Sequence, residues 1–180
     1  LTEPDMLFRA AYDSLCSGRH VFMEKPMGIT LYQADTLKRA AQENKRILHV
    51  GYNRRYIPLI TKAVELVSEI GKITQVEGRF YKNSSPAFYS GCASAFTCDV
   101  VHVTDLVRHI AGGKPIKAVT LETSSSADGL ADSWHSIIRF DSGVTGVIRS
   151  HYATGGRVHE FEIHTKGASA FINLGFGVQG

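Results

Sequence analysis

A chain of 180 residues is long enough for one ordinary domain, or for one domain and part of another. Its 43% hydrophobic residues indicate a real core, and its net charge of +3 without a basic stripe argues against nucleic-acid binding. No apolar run approaches the roughly 18 residues of a membrane span, and three cysteines without a Cys-x-x-Cys pair predict a reducing, cytoplasmic location.

The first 54 residues alternate helix and strand. Apolar spacing predicts a helix over 4–17, a strand over 20–24, a helix over 31–44 that Thr30 can cap, and a strand over 47–51. This alternation is typical of a parallel sheet with crossover helices. Two strands cannot form a stable parallel sheet, because such sheets are buried on both faces. Residues 1–54 are therefore predicted to be the second half of a doubly wound α/β domain whose first half is missing.

From residue 55 onward the pattern becomes α+β. Helices are predicted over 57–70 and 96–111, and strands over 73–81, 116–123, 134–140, 144–151 and 158–164. Asp141-Ser142-Gly143 is a good hairpin turn, and the polar stretch 124–132 is predicted to be a surface loop. Residues 55–180 are therefore expected to form a mostly antiparallel open sheet with helices on one face.

Glu24-Lys25-Pro26 is the strongest local signal for chemistry. The segment ends a predicted strand, where open α/β sheets bind ligands, and X-Pro bonds account for most cis peptides in proteins. A lysine there can bond a ribose or substrate hydroxyl and help relay a proton. Taken alone, however, the three residues are more often a strand-ending turn with a surface lysine.

A second signal lies in the predicted helix over 96–111, where Asp99 and His102 are three residues apart and share a face. A histidine beside a carboxylate is a natural proton acceptor. A helix N-terminus that favours an acidic residue explains Asp99 equally well.

A third signal, Asn53-Arg54-Arg55-Tyr56, follows the end of the second predicted strand. Amide, guanidinium and phenol groups at the mouth of a sheet suit polyhydroxylated or anionic ligands. A domain linker with solvated arginines is about as consistent with these residues.

Together the three segments resemble the Gfo/Idh/MocA oxidoreductases, which include glucose–fructose oxidoreductase and inositol dehydrogenase. The resemblance rests on the phrase from Leu15 to Lys25-Pro26, on Asn53-Arg54-Arg55-Tyr56, on Asp99 and His102 ahead of Asp105-Leu106-Val107-Arg108, and on the strand and turn over 134–143. It covers nearly the whole chain and implies a Rossmann domain followed by an α+β domain.

The resemblance implies an NAD- or NADP-dependent dehydrogenase that acts on a sugar or polyol. Lys25, with Glu24 and Pro26, would lie at the cofactor, and Lys25 would also contact the substrate hydroxyl. His102 would take the hydroxyl proton, and Asp99 would orient the substrate or His102. Asn53, Arg54, Arg55 and Tyr56 would line the substrate pocket. The family also implies a homo-oligomer formed through the open face of the sheet.

Two features depart from the family pattern. Asp99 and His102 have two residues between them, where many members have three, so His102 is the safer assignment. No glycine-rich phosphate loop precedes Glu24, so this chain alone is expected to be inactive. The last six residues, 175–180, match G-x-G-x-x-G, but no helix follows them, and the match is interpreted as coincidence.

Three alternatives stay open at this point. The chain could be a sugar-binding or dimerising module without catalysis. It could be a metal-dependent lyase or hydrolase that uses Asp99, His102 and a third ligand such as His135 or His151, although no third ligand is identified. Within the family, some members use nicotinamide transiently to cleave glycosides.

Overall fold

The computed structural model describes residues 4–84, 94–125 and 129–175. Contacts divide the chain into two compact units, which are described separately. Unit 1 takes the described residues of Leu1–Tyr52 and Pro86–Val101, and unit 2 takes those of Asn53–Ser85 and His102–Gly180. Across these described ranges, no helix is long and apolar enough to cross a membrane.

Unit 1 begins with alternating helices and strands, as the sequence predicts. The elements are α1 (Pro4–Cys16), β1 (Val21–Met23), α2 (Leu31–Glu43) and β2 (Leu48–Val50). The two strands pair in parallel, with Val21 opposite Leu48. Thr30 caps α2, because its side chain accepts a hydrogen bond from the Gln33 backbone N–H at 3.2 Å.

In unit 1, α1, α2 and the two strands share an apolar cluster. Its buried members are Ala11, Leu15, Met23, Leu37, Ala40 and Ala41. Phe22 alternates with the buried Met23 along β1, is 74% exposed and stacks on His49 of β2 with ring centroids 5.3 Å apart. The small sheet thus buries one face within the described residues.

Unit 2 contains a six-stranded sheet in the order β4-β5-β6-β3-β7-β8. A 3₁₀ turn (Asn53–Tyr56) leads into α3 (Pro58–Ile70) and β3 (Ile73–Asn83); α4 (Val101–Ala111) precedes β4 (Pro115–Thr123), β5 (Ser133–Phe140), β6 (Thr145–His151), β7 (Ala153–Thr165) and β8 (Ser169–Asn173). Every neighbouring pair is antiparallel except β3 and β6, which are parallel. The predicted class, α/β followed by a mostly antiparallel α+β region, is confirmed.

Two glycines let α4 lie close against this sheet. A side chain at Gly78 of β3 would collide with Val103 Cγ2 of α4, and one at Gly146 of β6 would come within 2.8 Å of Val107 Cγ1. Val103, Leu106 and Val107 are fully buried at this contact. The helix that carries His102 is therefore packed directly on the middle of the sheet.

The opposite face of the sheet carries a row of residues that the strand registers place side by side. Val119, Ile137 and Val147 continue into Glu77, Glu162 and Phe171 across the six strands. Val119, Ile137 and Phe171 are each more than 60% exposed. The sheet thus has one face covered by helices and one open face, as expected.

Charged groups on the open face form a network around Glu77. Its carboxylate, whose side chain is 8% exposed, accepts a hydrogen bond from Arg149 Nε at 2.7 Å and a second from Arg149 Nη2. The hydrogen bond to Glu77 raises the pKa of Arg149 against the opposing effect of burial. Arg79 pairs with Glu160 and Glu162 on the neighbouring strand.

Candidate active site

Lys25 lies just beyond the end of β1, in the segment that the sequence singles out. The Lys25–Pro26 peptide bond is cis, as is common only before proline. Lys25 Nζ donates a hydrogen bond to the backbone carbonyl oxygen of Cys98 at 2.7 Å, and it lies 3.9 Å from Asp99 Oδ1. Its side chain is 24% exposed, so the ammonium group is anchored but accessible. Glu24 is exposed and Pro26 is buried.

The carbonyl that receives Lys25 belongs to a π-helical turn, Phe96–Val100. The sequence pattern predicts α-helix from residue 96, but regular α-helix begins at Val101. A π-helical turn loosens the regular ladder of backbone bonds and is frequent at functional sites. In this protein the turn contains both groups that meet the Lys25 ammonium, the Cys98 carbonyl and the buried Asp99 carboxylate.

His102 belongs to unit 2, where it is the second residue of α4 and is 8% exposed. Asp99 belongs to the π-helical turn that directly precedes α4, and that the two side chains share one helix face stays a prediction. The ion pair between Asp99 and Lys25 could not be foreseen, because 73 residues separate Lys25 from the Cys98–Asp99 step.

Asp105 follows His102 by three positions on α4, and its partner is Arg55. Arg55 Nε donates to Asp105 Oδ2 at 2.7 Å, and Nη2 donates to Oδ1. Only 9% of the Asp105 side chain is exposed, whereas 34% of the Arg55 side chain is exposed. The sequence identifies both residues but not that they pair.

The predicted segment Asn53-Arg54-Arg55-Tyr56 coincides with the 3₁₀ turn. Asn53 and Tyr56 are exposed, and Arg54 is half-buried. A groove beside this turn runs between α3 and the second half of α4, lined among others by Arg55, Ile60, Val64 and Ile110. His102 does not line this groove, which lies at the other end of α4.

The metal alternative has no geometric support in the part of the chain that the structure describes, because no three His, Cys, Asp or Glu residues there are grouped to hold an ion. His135 Nε2 is instead paired with the Ser133 hydroxyl at 3.0 Å, and His151 Nδ1 accepts a hydrogen bond from the Ala153 backbone N–H. Residues 176–180 of the G-x-G-x-x-G match lie outside the described residues.

Comparison with protein families assigns both parts of the chain. Residues 2–52 match the model described as "Oxidoreductase family, NAD-binding Rossmann fold". Residues 60–171 match the GFO/IDH/MocA C-terminal domain. The two matches lie in the order that the sequence motifs indicate.

Curated relatives extend over nearly the whole chain. The chain is 27% identical to an inositol 2-dehydrogenase of Rhizobium meliloti over 184 aligned residues, which cover 96% of the chain and 54% of that protein. It is 29% identical to a scyllo-inositol 2-dehydrogenase (NADP(+)) of Bacillus subtilis, covering 91% of the chain and 47% of that protein. The chain therefore spans about half the length of the curated relatives it matches.

Solved structures match the fold with similar coverage. GenD2 from gentamicin A biosynthesis, solved in complex with NAD, is 25% identical, with a TM-score of 0.86 over 99% of this chain and 55% of that one. A structure described as a putative myo-inositol dehydrogenase from Sinorhizobium meliloti is 19% identical, with a TM-score of 0.85 over 95% of this chain and 55% of that one, and it supports the fold alone.

Proposed function

Because the chain belongs to the Gfo/Idh/MocA oxidoreductases, we propose that the whole protein is an NAD(P)-dependent dehydrogenase. It transfers a hydride between nicotinamide and a carbon that bears a sugar or polyol hydroxyl. The observation that carries this proposal is the anchored Lys25 ammonium at the end of a parallel strand, within the part of the chain that matches the NAD-binding family. Dinucleotides bind at the carboxyl ends of such strands.

The residues of unit 1 fit one end of a nicotinamide dinucleotide. Lys25 offers ammonium protons beyond the end of β1, and it would bond the hydroxyls of the nicotinamide ribose. Glu24 and Pro26 shape the same turn. The strand-to-helix connection after β1 contains one glycine, Gly28, and not the three-glycine pattern that cradles a pyrophosphate. These 180 residues alone are therefore expected to be inactive.

His102 is proposed as the group that accepts the proton of the substrate hydroxyl. A neutral imidazole can take that proton as the C–O single bond becomes a carbonyl, and imidazole is suited to the task near neutral pH. Bound nicotinamide supplies the acceptor for the hydride that leaves the same carbon. Lys25 stabilises the negative charge that develops on the substrate oxygen.

Asp99 is proposed to hold the Lys25 ammonium in place. Its carboxylate lies 3.9 Å from Lys25 Nζ, while the Cys98 carbonyl accepts the direct hydrogen bond at 2.7 Å. We also propose that this carboxylate accepts a hydrogen bond from a substrate hydroxyl, as the family resemblance implies. This role gives Asp99 a function despite its unusual spacing from His102.

A polyol is the proposed substrate class. The curated relatives include proteins named for inositol and scyllo-inositol, with both NAD and NADP among their cofactors. The turn Asn53–Tyr56 is proposed to contact the substrate, because its amide, guanidinium and phenol groups suit hydroxyl-rich ligands. A cytoplasmic location stays a prediction from the cysteine usage.

The test starts with titration calorimetry of NAD and NADP on the whole protein and on these 180 residues. Binding by the whole protein alone, followed by cofactor reduction with an inositol, supports the proposal. His102→Ala should lower kcat at least 100-fold, in the range of a lost general base. His109→Ala, an exposed histidine on the same helix, is the matched control and should change kcat less than twofold.

If the whole protein binds neither NAD nor NADP, the proposed dehydrogenase function is wrong. A sugar-binding module without catalysis would then be the better account. Equal loss of kcat in the His102 and His109 variants would remove His102 from the mechanism while leaving the family assignment intact.

A second copy of the protein is the proposed partner of the open sheet face. On the open face, the β4-β5-β6 half carries the exposed Lys117 and Arg139, whereas the β3-β7-β8 half carries Glu160 and Glu162 together with Arg79. Arg149 and Glu77 are bonded to each other across the boundary between the halves. A two-fold axis parallel to the strands would lay the basic half of one copy over the acidic half of the other. Exposed apolar side chains such as Val119 and Ile137 would be buried at the same time.

Size-exclusion chromatography with light scattering, which measures the molar mass of the whole protein in solution, tests this association. Ile137→Glu should convert a dimer or larger assembly to monomer, because it places a charge among the apolar residues. Leu66→Glu, a comparably exposed leucine on α3, should leave the assembly unchanged. If the wild-type protein is a monomer at high concentration, the proposed association of two copies is wrong.

A further inference from the structure

The pair formed by Arg55 and Asp105 joins residues 50 positions apart in the sequence. Two parallel hydrogen bonds run from one guanidinium to one carboxylate, with Nε bonded to Oδ2 at 2.7 Å and Nη2 to Oδ1. A two-bond contact of this kind fixes the relative orientation of both planar groups, which a single bond or a lysine cannot do. Because only 9% of the Asp105 side chain is exposed, water competes little for these bonds at the carboxylate.

Asp105 lies where it can control the position of His102. Both residues are on α4, three positions apart, which places them about 60° apart around the helix axis and within one turn of each other. Any rotation or sliding of α4 that displaces Asp105 therefore displaces His102 in the same sense.

Apolar packing on the sheet also holds α4. Val103 and Val107 pack against the sheet at Gly78 and Gly146, which sets how close the helix lies. Apolar contact is non-directional, so it limits the rotation and axial position of a helix less strictly than hydrogen bonds do. Arg55 supplies a directional contact near the middle of α4, and the hydroxyl of Ser142 donates a second one to the Ala111 carbonyl at its end. Arg55 lies between α3 and α4, since it lines the same groove as Ile60 and Ile110.

We propose that Arg55, acting through Asp105, positions α4 so that His102 is held for proton transfer. This inference rests on the proposed role of His102 as proton acceptor. It makes Arg55 a positioning residue that acts on the reaction without contacting the reacting atoms. Of the turn Asn53–Tyr56, only the residues other than Arg55 are then proposed to contact the substrate.

Kinetics of the whole protein with a polyol and its preferred dinucleotide test the inference. Arg55→Met and Asp105→Asn should each lower kcat about 10- to 100-fold, because displacements of about 1 Å have effects of this size. KM should change less than threefold in both. The double variant should be no slower than the worse single variant, because both changes remove the same contact.

Two control variants separate the Arg55–Asp105 contact from a general loss of charge. Arg9→Met removes an arginine–aspartate pair on the exposed surface of α1 and should leave kcat and KM within twofold. Arg55→Lys keeps the positive charge but cannot form the two parallel hydrogen bonds, so its kcat should lie between those of Arg55→Met and the wild type. Each rate is divided by the folded fraction measured by circular dichroism, so that simple unfolding does not count as a loss of kcat.

Other kinetic patterns would overturn the inference. A rise in KM in Arg55→Met that Asp105→Asn does not share would show that Arg55 contacts the substrate directly. Loss of stability with unchanged kcat per folded molecule would show a role in folding alone. Additive effects in the double variant would show that the two side chains act independently.

Amide hydrogen exchange separates this inference from the proposed function. In Arg55→Met, the amides of Val103 to Val107 should exchange at least tenfold faster than in Arg9→Met. If the whole protein oxidises no polyol, the proposed function fails, and the exchange rates still decide whether Arg55 holds α4. Unchanged exchange rates together with unchanged kcat would refute the inference on both counts.

Discussion

The two faces of the six-stranded sheet are built from the same strands by different means. Along β3, Val76, Gly78 and Phe80 face the helices and are buried, while the alternate residues Glu77 and Arg79 face the open side. The covered face depends on close apolar packing, with glycines where α4 lies nearest. The open face instead carries ion pairs between neighbouring strands, with exposed apolar side chains on either side of them. Packing on the covered face should therefore tolerate much less change than the open face.

The largest effect is expected from Gly78→Ala. The added methyl group would collide with Val103 and come within 2.9 Å of Phe161 Cε1, both of which are buried. Overpacking of this kind costs about 2–3 kcal/mol of unfolding free energy, measured by urea denaturation. Gly155→Ala on β7 is the matched control, because no atom lies within 4 Å of its added carbon. Equal losses in the two variants would show that the close approach of α4 is not what Gly78 provides.

A smaller effect is expected from Glu77→Gln on the open face. The amide keeps the shape of the side chain but removes the charge that Arg149 contacts with two N–H groups. We expect the unfolding free energy, measured by urea denaturation, to fall by about 1–2 kcal/mol. The loss is no larger because the half-exposed Arg149 guanidinium can form hydrogen bonds with water instead. Glu65→Gln, in an exposed pair with Lys62 on α3, should cost less than about 0.5 kcal/mol. A loss at Glu77 as small as that at Glu65 would mean that the network adds nothing to stability.

A pH-dependent effect is expected at Asp132, in the segment just before β5. Burial raises the pKa of Asp132, but hydrogen bonds from the Ser125 side chain and backbone, helped by nearby His151, outweigh burial and lower it. A carboxyl whose folded pKa is lowered stabilises the protein above its unfolded pKa, and this stabilisation is lost as the pH falls through the folded value. Ser125→Ala should thus cost at most about 1 kcal/mol at pH 7, because solvent screens part of the interaction, and this cost should disappear as the pH falls through the folded pKa of Asp132. A loss independent of pH would rule out this carboxylate as the cause.

The smallest effect is expected from Ile137→Thr at a concentration where the protein is monomeric. Ile137 is 62% exposed on the open face, so its unfolding free energy should change by less than about 0.5 kcal/mol. The same substitution at Ile163, fully buried on the covered face, should cost about 2 kcal/mol or more. Similar losses at both positions would contradict the contrast between the faces.

Sequence patterns predicted the α-helices and the strands up to β7 to within a few residues, with two instructive differences. β7 begins at Ala153 and not at 158, because Thr154, Gly155 and Gly156 look like a loop in isolation. Pairing with β3 nevertheless extends to Ala153 opposite Asn83, across a register shift. The turn at Phe96–Val100 is π-helical, and hydrophobic spacing does not distinguish this from the α-helix that follows.

By itself the sequence determined the local elements, the segments that carry the candidate chemistry and the family to which they belong. These follow from short-range patterns: apolar periodicity, turn residues and motifs within about a dozen positions. Tertiary structure alone decided which charges pair, namely Lys25 with the Cys98–Asp99 step, Arg55 with Asp105, and Arg149 with Glu77. It also decided that β3 and β6 lie side by side and that Gly78 lies beneath α4. Contacts between residues 50 or more positions apart depend on strand order and helix docking, and no local pattern in the sequence records them.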